Sequence, residues 1–230
     1  MKKILWFSCG ATSAVACKMA LDKYGRDDCS IVYFKIDSAH EDNERFIRDC
    51  EEWYGCNIQI IRSDKYVDQF DVIAKTKYVN GAKGARCTTE LKRLVRVKYQ
   101  ESNKFSNQIF GFENNAKEIN RANRLRENNP ETKPEFPLIE AGMTKQNCLG
   151  VLKSNGIELP TMYKLGYPNN NCIGCVKGGM GYWNKIRIDF PDTFYKMAKL
   201  EREVGRSCLK ESSGDRIFLD ELDPERGREQ

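Results

Sequence analysis

Apolar positions along the chain come in short runs that alternate with stretches of helical period. Ile4-Leu5-Trp6-Phe7 is unbroken and is followed by the small polar turn Ser8-Cys9-Gly10-Ala11-Thr12. That reads as a strand buried on both faces. Residues 13–24 carry Val15, Met19 and Ala20 or Leu21 on one side and stop at Gly25, the pattern of a helix. Residues 31–36 read as a second strand ending at Asp37. Residues 41–54 form a helix with Phe46, Ile47, Cys50 and Trp53 or Tyr54 at helical spacing, and residues 58–61 a third strand. This β-α-β-α-β alternation predicts a parallel sheet with crossover helices.

Beyond it the pattern predicts a helix over 66–78, a loop over 80–84, a basic helix over 87–99, a strand over 108–112 and a helix over 117–127. Residues 128–137 hold three prolines and read as irregular. From Met143 the character changes. A short helix (145–153) precedes a Pro/Gly/Asn-rich stretch, then Cys172-Ile173-Gly174-Cys175, Gly178-Gly179, an amphipathic helix over 192–203, and Cys208. In the charged last fifteen residues only Ile217, Phe218, Leu219 and Leu222 are suited to docking. The expected fold class is α/β: a parallel twisted sheet with helices on both faces, Rossmann-like, over 1–140. A small cysteine-containing C-terminal extension over 141–230 is expected to pack on it.

Composition narrows the chemistry. At 230 residues the chain can bury a core without disulfide staples, and ten cysteines in a chain of this length point to a reduced, cytoplasmic setting with metal binding or thiol chemistry. Four apolar residues after Lys2-Lys3 are too few for a secretion signal, and no stretch reaches membrane-spanning length. A single histidine, His40, argues strongly against both two-histidine metal sites and Ser-His-Asp chemistry; it reads as a solvated helix-start residue. A net charge of +5 favours anionic ligands without demanding nucleic acid.

The turn after the first strand is the first candidate site. A strand passing through small residues into a helix places backbone N–H groups at a helix N-terminus, a ready anion site. Gly10 admits close approach of a phosphate beside Ala11, and Ser8, Thr12 and Ser13 add hydroxyls. Neither G-x-x-x-x-G-K-[ST] nor G-x-G-x-x-G is present there, so a packing turn stands as the alternative.

The second candidate is the pair Cys172-x-x-Cys175, whose spacing lets two thiolates grip one metal, with Gly174, Gly178 and Gly179 permitting a tight wrap. Cys87, at the start of a basic helix that should lower its pKa, and Cys208 complete a four-thiolate set, with Cys148 in reserve. Zinc and [4Fe–4S] both accept four thiolates. Cys17, Cys50 and Cys56 read as small buried thiols. Lys92 and Arg93, nearest Cys87, are the preferred anion contacts, against a default of a solvated basic face. Tyr182 and Trp183 read as core more than as a cover for the metal.

Ser8-Cys9-Gly10-Ala11-Thr12-Ser13 resembles the S-G-G-x-D-S loop of the PP-loop superfamily. Ile36-Asp37-Ser38, the 86–93 stretch from Arg86-Cys87 to Lys92-Arg93, Gly111 followed by Glu118 and Arg121 or Arg124, Pro137-Leu138-Ile139, the 163–167 stretch from Tyr163 to Tyr167, and the Cys172/Cys175 pair then follow in the order of its phosphoadenosine phosphosulfate (PAPS) reductase branch. The resemblance spans residues 3–208. It implies an enzyme, an oxidoreductase or sulfurtransferase, with ATP or another adenylyl nucleotide at Ser8, Gly10, Ala11, Thr12, Ser13, Asp37, Arg93 and Gly111. It also implies a [4Fe–4S] cluster in preference to zinc, and Lys92 and Cys208 in catalysis. Two departures matter: Cys9 replaces glycine, and Thr12 replaces the aspartate of the pyrophosphatases, which puts Mg2+ handling and ATP cleavage in question. No cysteine follows Cys208, so Cys208 is either a ligand or the nucleophile. Expected partners are an electron donor such as thioredoxin, a tRNA or DNA substrate, or a second copy of the chain in a homodimer, with no membrane. A zinc-stapled, non-catalytic nucleic-acid-binding module is the rival from a different class.

Overall fold

The computed structural model describes residues 1–81, 84–211 and 213–227. The expected 80–84 loop therefore falls partly outside the described residues. Five strands, β1 (Lys3–Phe7), β2 (Cys29–Phe34), β3 (Ile58–Ile61), β4 (Gln108–Phe110) and β5 (Pro134–Glu135), make one all-parallel sheet in the order β3-β2-β1-β4-β5. Leu5 of the central strand is in register with Ile31 on one side and Ile109 on the other.

The helices are α1 (Ala11–Tyr24), α2 (Asn43–Tyr54), α3 (Gln69–Thr76), α4 (Arg86–Thr88), a π-helical turn (Thr89–Arg93), α5 (Leu94–Ser102) and α6 (Ala116–Asn128). There follow α7 (Pro137–Glu140), α8 (Lys145–Ser154), α9 (Thr161–Lys164), α10 (Met180–Asp189) and α11 (Pro191–Val204). Two-residue strands β6 (Leu209–Lys210) and β7 (Arg216–Ile217) close an antiparallel hairpin before the 3-10 turn Leu219–Glu221. No helix among the described residues is long and apolar enough to cross a membrane.

The contacts divide the chain into two compact units. The first comprises Met1–Lys35, Glu41–Ile61 and Lys98–Asn170, and the second Ile36–His40, Arg62–Val97 and Asn171–Gln230. The chain passes between units at these points rather than once, after residue 140.

The first unit holds the sheet. Side chains alternate across it with the period of two that a pleated strand imposes. Leu5 and Phe7 enter one core with Ala14, Val15, Phe46 and Leu152, while Ile4 and Trp6 enter another with Phe110, Ala122 and Phe136. Helices thus cover both faces, which is why β1 reads as an unbroken apolar run. The expected elements are present, with ends shifted by one to three residues in most of them. An addition is β5, inside the three-proline stretch: Pro134 begins an edge strand, where its missing N–H is not needed.

In the second unit α3, α10 and α11 pack together around the fully buried Trp183 and Phe194. Helix α10 is not legible as such in the sequence, because Gly178-Gly179 and Gly181 read as loop; Gly179 serves as its N-cap. Its end at Phe190-Pro191 begins α11, with proline at the first helical position. Leu219 and Leu222 are buried as expected.

Candidate functional site

In the first unit, the sheet order reverses between β1 and β4: β2 and β3 extend to one side of β1, and β4 and β5 to the other. Open α/β sheets bind ligands at the carboxyl ends of strands at such a switch point. The 8–13 turn lies there, between β1 and the N-terminus of α1, whose N-cap is Gly10. Gly111, just after β4, closes the other side. A Cβ on Gly111 would stand 2.5 Å from Cα of Ser13 and 2.9 Å from the Thr12 carbonyl oxygen, so the residue after β4 meets the first turn of α1 backbone to backbone.

The loop hydroxyls divide into two groups. The buried Ser13 Oγ accepts from the N–H of Ser8 at 3.0 Å and of Gly10 at 3.3 Å, and donates to the Gly10 carbonyl at 2.9 Å. It braces the loop from inside. Ser8 is exposed, with its hydroxyl donating to Ser13 Oγ at 3.0 Å, and Thr12 is half-buried. Ala11 N–H donates to Tyr163 Oη at 3.2 Å. The N–H groups of Thr12 and Ser13 belong to the first helical turn, which helix geometry leaves without an i−4 acceptor. Cys9 sits at φ 59°, the left-handed region, which accounts for glycine as the residue expected there. Its side chain is fully buried, and burial holds the thiol well above its ordinary pKa. Asn170 Nδ2 donates to the Cys9 carbonyl at 2.6 Å and to Asn43 Oδ1 at 2.8 Å, while its own buried Oδ1 has no partner among the described residues.

In the second unit, Cys87, Cys172, Cys175, Lys92, Lys177 and Gln69 line one cavity of about 130 Å³. The Cys172–Cys175 turn is tied down at every peptide. Gln69 Nε2 donates to the Ile173 carbonyl at 2.8 Å, Ile173 N–H to Ser38 O at 2.9 Å, and Tyr182 Oη accepts from Cys175 N–H at 2.9 Å and donates to the Cys172 carbonyl at 3.1 Å. Gly174 takes φ 75°, and a Cβ there would strike Thr193, Phe70 and Trp183. The three thiols feel one another, with Lys92 and Lys177 opposing their mutual repulsion.

One expectation changes here. Cys87 was expected to have a lowered pKa at its basic helix start; burial, then the neighbouring Cys175 and Cys172, instead push it up to about 11, and Lys177 and Lys92 only partly offset this. Cys208 does not share the cavity lining. It is buried against Glu201, whose carboxylate accepts the Cys208 N–H and hydrogen-bonds its thiol, so burial and that carboxylate hold Cys208 far above the usual thiol range. Glu201 itself is fully buried and its carboxyl is raised by burial; it also accepts Leu219 N–H at 2.9 Å.

Of the other expected residues, Asp37 pairs with Arg62 at 3.0 Å within the second unit. Arg93 is exposed on the π turn. Cys148 is buried in the sheet core, a packing thiol. His40 is half-buried, edge-on to Phe190, rather than solvated. Trp183 is core, as expected, whereas Tyr182 braces the cysteine turn. Sequence reasoning missed Asn170, Gln69, Lys177 and Glu201 and gave Tyr163 no role of its own; all but Lys177, two residues after Cys175, act through residues further away along the chain. The only signal for Asn170 was its place in an Asn-rich run that reads as loop composition.

No group of three or more His, Cys, Asp or Glu side chains among the described residues is arranged to hold a metal ion. The donor chemistry of the cavity fits a thiolate-held group in kind: three soft donors on a tightly wrapped turn, with two ammonium groups to offset their charge. Cys208 lies outside this lining but feels the Cys175 thiol.

Fold and site together define an open, parallel α/β protein with an anion-suited loop at its switch point and a thiol-lined, lysine-flanked cavity. Compared with known proteins, the sequence matches no family model and no curated protein.

Proposed function

We propose that the chain is a PP-loop enzyme similar to the PAPS reductases, which binds an adenylyl nucleotide on the 8–13 loop and moves sulfur or electrons at a cysteine-held iron–sulfur cluster. The observation that carries this reading is the position of that loop at the carboxyl end of the central strand, at the switch point, with Gly111 against it. The N–H groups of Thr12 and Ser13 and the hydroxyls of Ser8 and Thr12 would donate to phosphate oxygens. Tyr163, whose oxygen already accepts an amide, keeps its own proton as a further donor. The orphaned Asn170 Oδ1 wants a donor, which a ribose hydroxyl or adenine amine offers and a bare phosphate does not.

Cys87, Cys172 and Cys175 would hold the cluster, and Lys92 and Lys177 would draw an anionic, sulfur-bearing group against it. A bound cluster supplies single electrons or an iron that can carry sulfur. Cys208 is better suited to anchoring the tail on Glu201 than to attack. Thr12 gives the loop no carboxylate for magnesium, which favours reductive cleavage of a sulfonucleotide over ATP-dependent sulfur transfer to a tRNA or DNA.

Calorimetry of anaerobically purified protein with ATP, PAPS and adenosine phosphosulfate tests the loop: binding of at least one is expected, and no heat with any of the three overturns it. Iron and sulfide should accompany the protein. Colourless protein with stoichiometric zinc instead moves the reading to the zinc-stapled module.

A further inference from the structure

The amino-terminal edge of the sheet, in the first unit, carries a second thiol pair. Ile31 of β2 is in register with Ile58 of β3; Cys29 is the first residue of β2, and Cys56 lies in the bend two residues before β3. Both cysteines pack on the same core. Both also line one open cavity of about 700 Å³, and Cys29 feels the charge of Cys56. Lys2 and Arg26 line it too, with Asp27 as its acid. Arg26 lies over Gly55, beside Cys56.

We propose that Cys29 and Cys56 are a redox-modification site, oxidised reversibly to a disulfide by exchange with a small anionic disulfide such as glutathione disulfide. Half-buried Cys56 is the entry thiol, and Cys29, 6% exposed, the resolving one. Cys56 thiolate attacks one sulfur of the glutathione disulfide, forming a mixed disulfide and releasing one glutathione thiolate. Cys29 thiolate then attacks Cys56 Sγ and expels the second. Two protein thiols are oxidised, one disulfide is reduced to two thiols, and the two protons go to solvent or the leaving thiolates. Burial raises both thiols, and on Cys56 Arg26 and Lys2 oppose it. The same cations suit the carboxylates of glutathione. Cys17 and Cys50, in the same core, do not line the cavity.

The test is peptide mapping of the reduced full chain after incubation with glutathione disulfide, acid quench and alkylation. A Cys29–Cys56 linked peptide, reversed by dithiothreitol, with two fewer free thiols, is expected. Cys29→Ser should instead retain a stable glutathione adduct on Cys56. A wild-type adduct that persists on Cys56 without the link, either cysteine linked elsewhere, or neither modified overturns the proposal. If Cys29→Ser does not fold, the wild-type map decides alone.

Discussion

Single atoms decide much of the loop. Gly111 has no room for a methyl group, because the atoms in the way are the backbone of Thr12 and Ser13 rather than movable side chains. Gly111→Ala should therefore cost about 1–3 kcal/mol in a urea titration and weaken the proposed nucleotide binding by displacing the first turn of α1. Gly150, inside α8 with open space around it, is the contrast: Gly150→Ala should gain about 0.5–1 kcal/mol. An equal cost at both positions would refute the close-approach argument. Cys9 shows the opposite compromise. It bears a left-handed backbone for the sake of a buried side chain, a choice the sequence displays only as a departure from a glycine.

At the scale of elements, α2 is anchored by its own first turn. Asp42 pairs with Arg45, Nε to Oδ1 at 2.7 Å and Nη2 to Oδ2 at 2.9 Å, and accepts the Thr161 N–H at 2.8 Å. Arg45 also reaches the carbonyls of Glu158 and Leu159, so one ion pair ties α2 to the start of α9. The hydrogen bonds from Arg45, then those from Thr161, hold the Asp42 carboxyl far below the usual carboxylate range despite its partial burial. A depressed folded-state pKa contributes stability above the unfolded value, about 3.9, that is lost as pH falls below it. Asp42→Asn should thus lower stability by about 1–3 kcal/mol at neutral pH, and the gap to wild type should close below about pH 4. Denaturant titrations across that range check the sign; a gap that widens in acid would contradict it.

The whole chain is two units with separate cores, and the second is closed by buried polar ties rather than by a sheet. Glu201 alone satisfies the N–H groups of Cys208 and Leu219. Asn184 holds the carbonyls of Asp223 and Arg226, and Arg187 those of Leu219 and Leu222. Glu201→Ala should cost on the order of 3 kcal/mol by orphaning two buried donors, and Glu201→Gln, which keeps an acceptor, distinctly less. Thermal unfolding of the two variants measures this. Equal midpoints would mean that the ties to Glu201 contribute little.

The sequence by itself determined the elements that local physics controls. The apolar run of β1, the small turn and the helical period of α1 and α2 each follow from burial on one face or two, and together they imply a parallel sheet. The Cys-x-x-Cys turn was legible because its spacing and glycines are local. Tertiary structure alone decided which strands neighbour which, and so that the 8–13 loop lies at the switch point against Gly111. It also turned Ser13 inward, brought Tyr163 and Asn170 to the loop, and set Glu201 against Cys208. These are contacts between residues far apart in sequence, or consequences of burial, and no local pattern encodes them. The Cys87 thiol is the plainest case: its neighbours in sequence are basic and predict a lowered pKa, but burial and two other thiols raise it by more than the nearby Lys177 and Lys92 lower it.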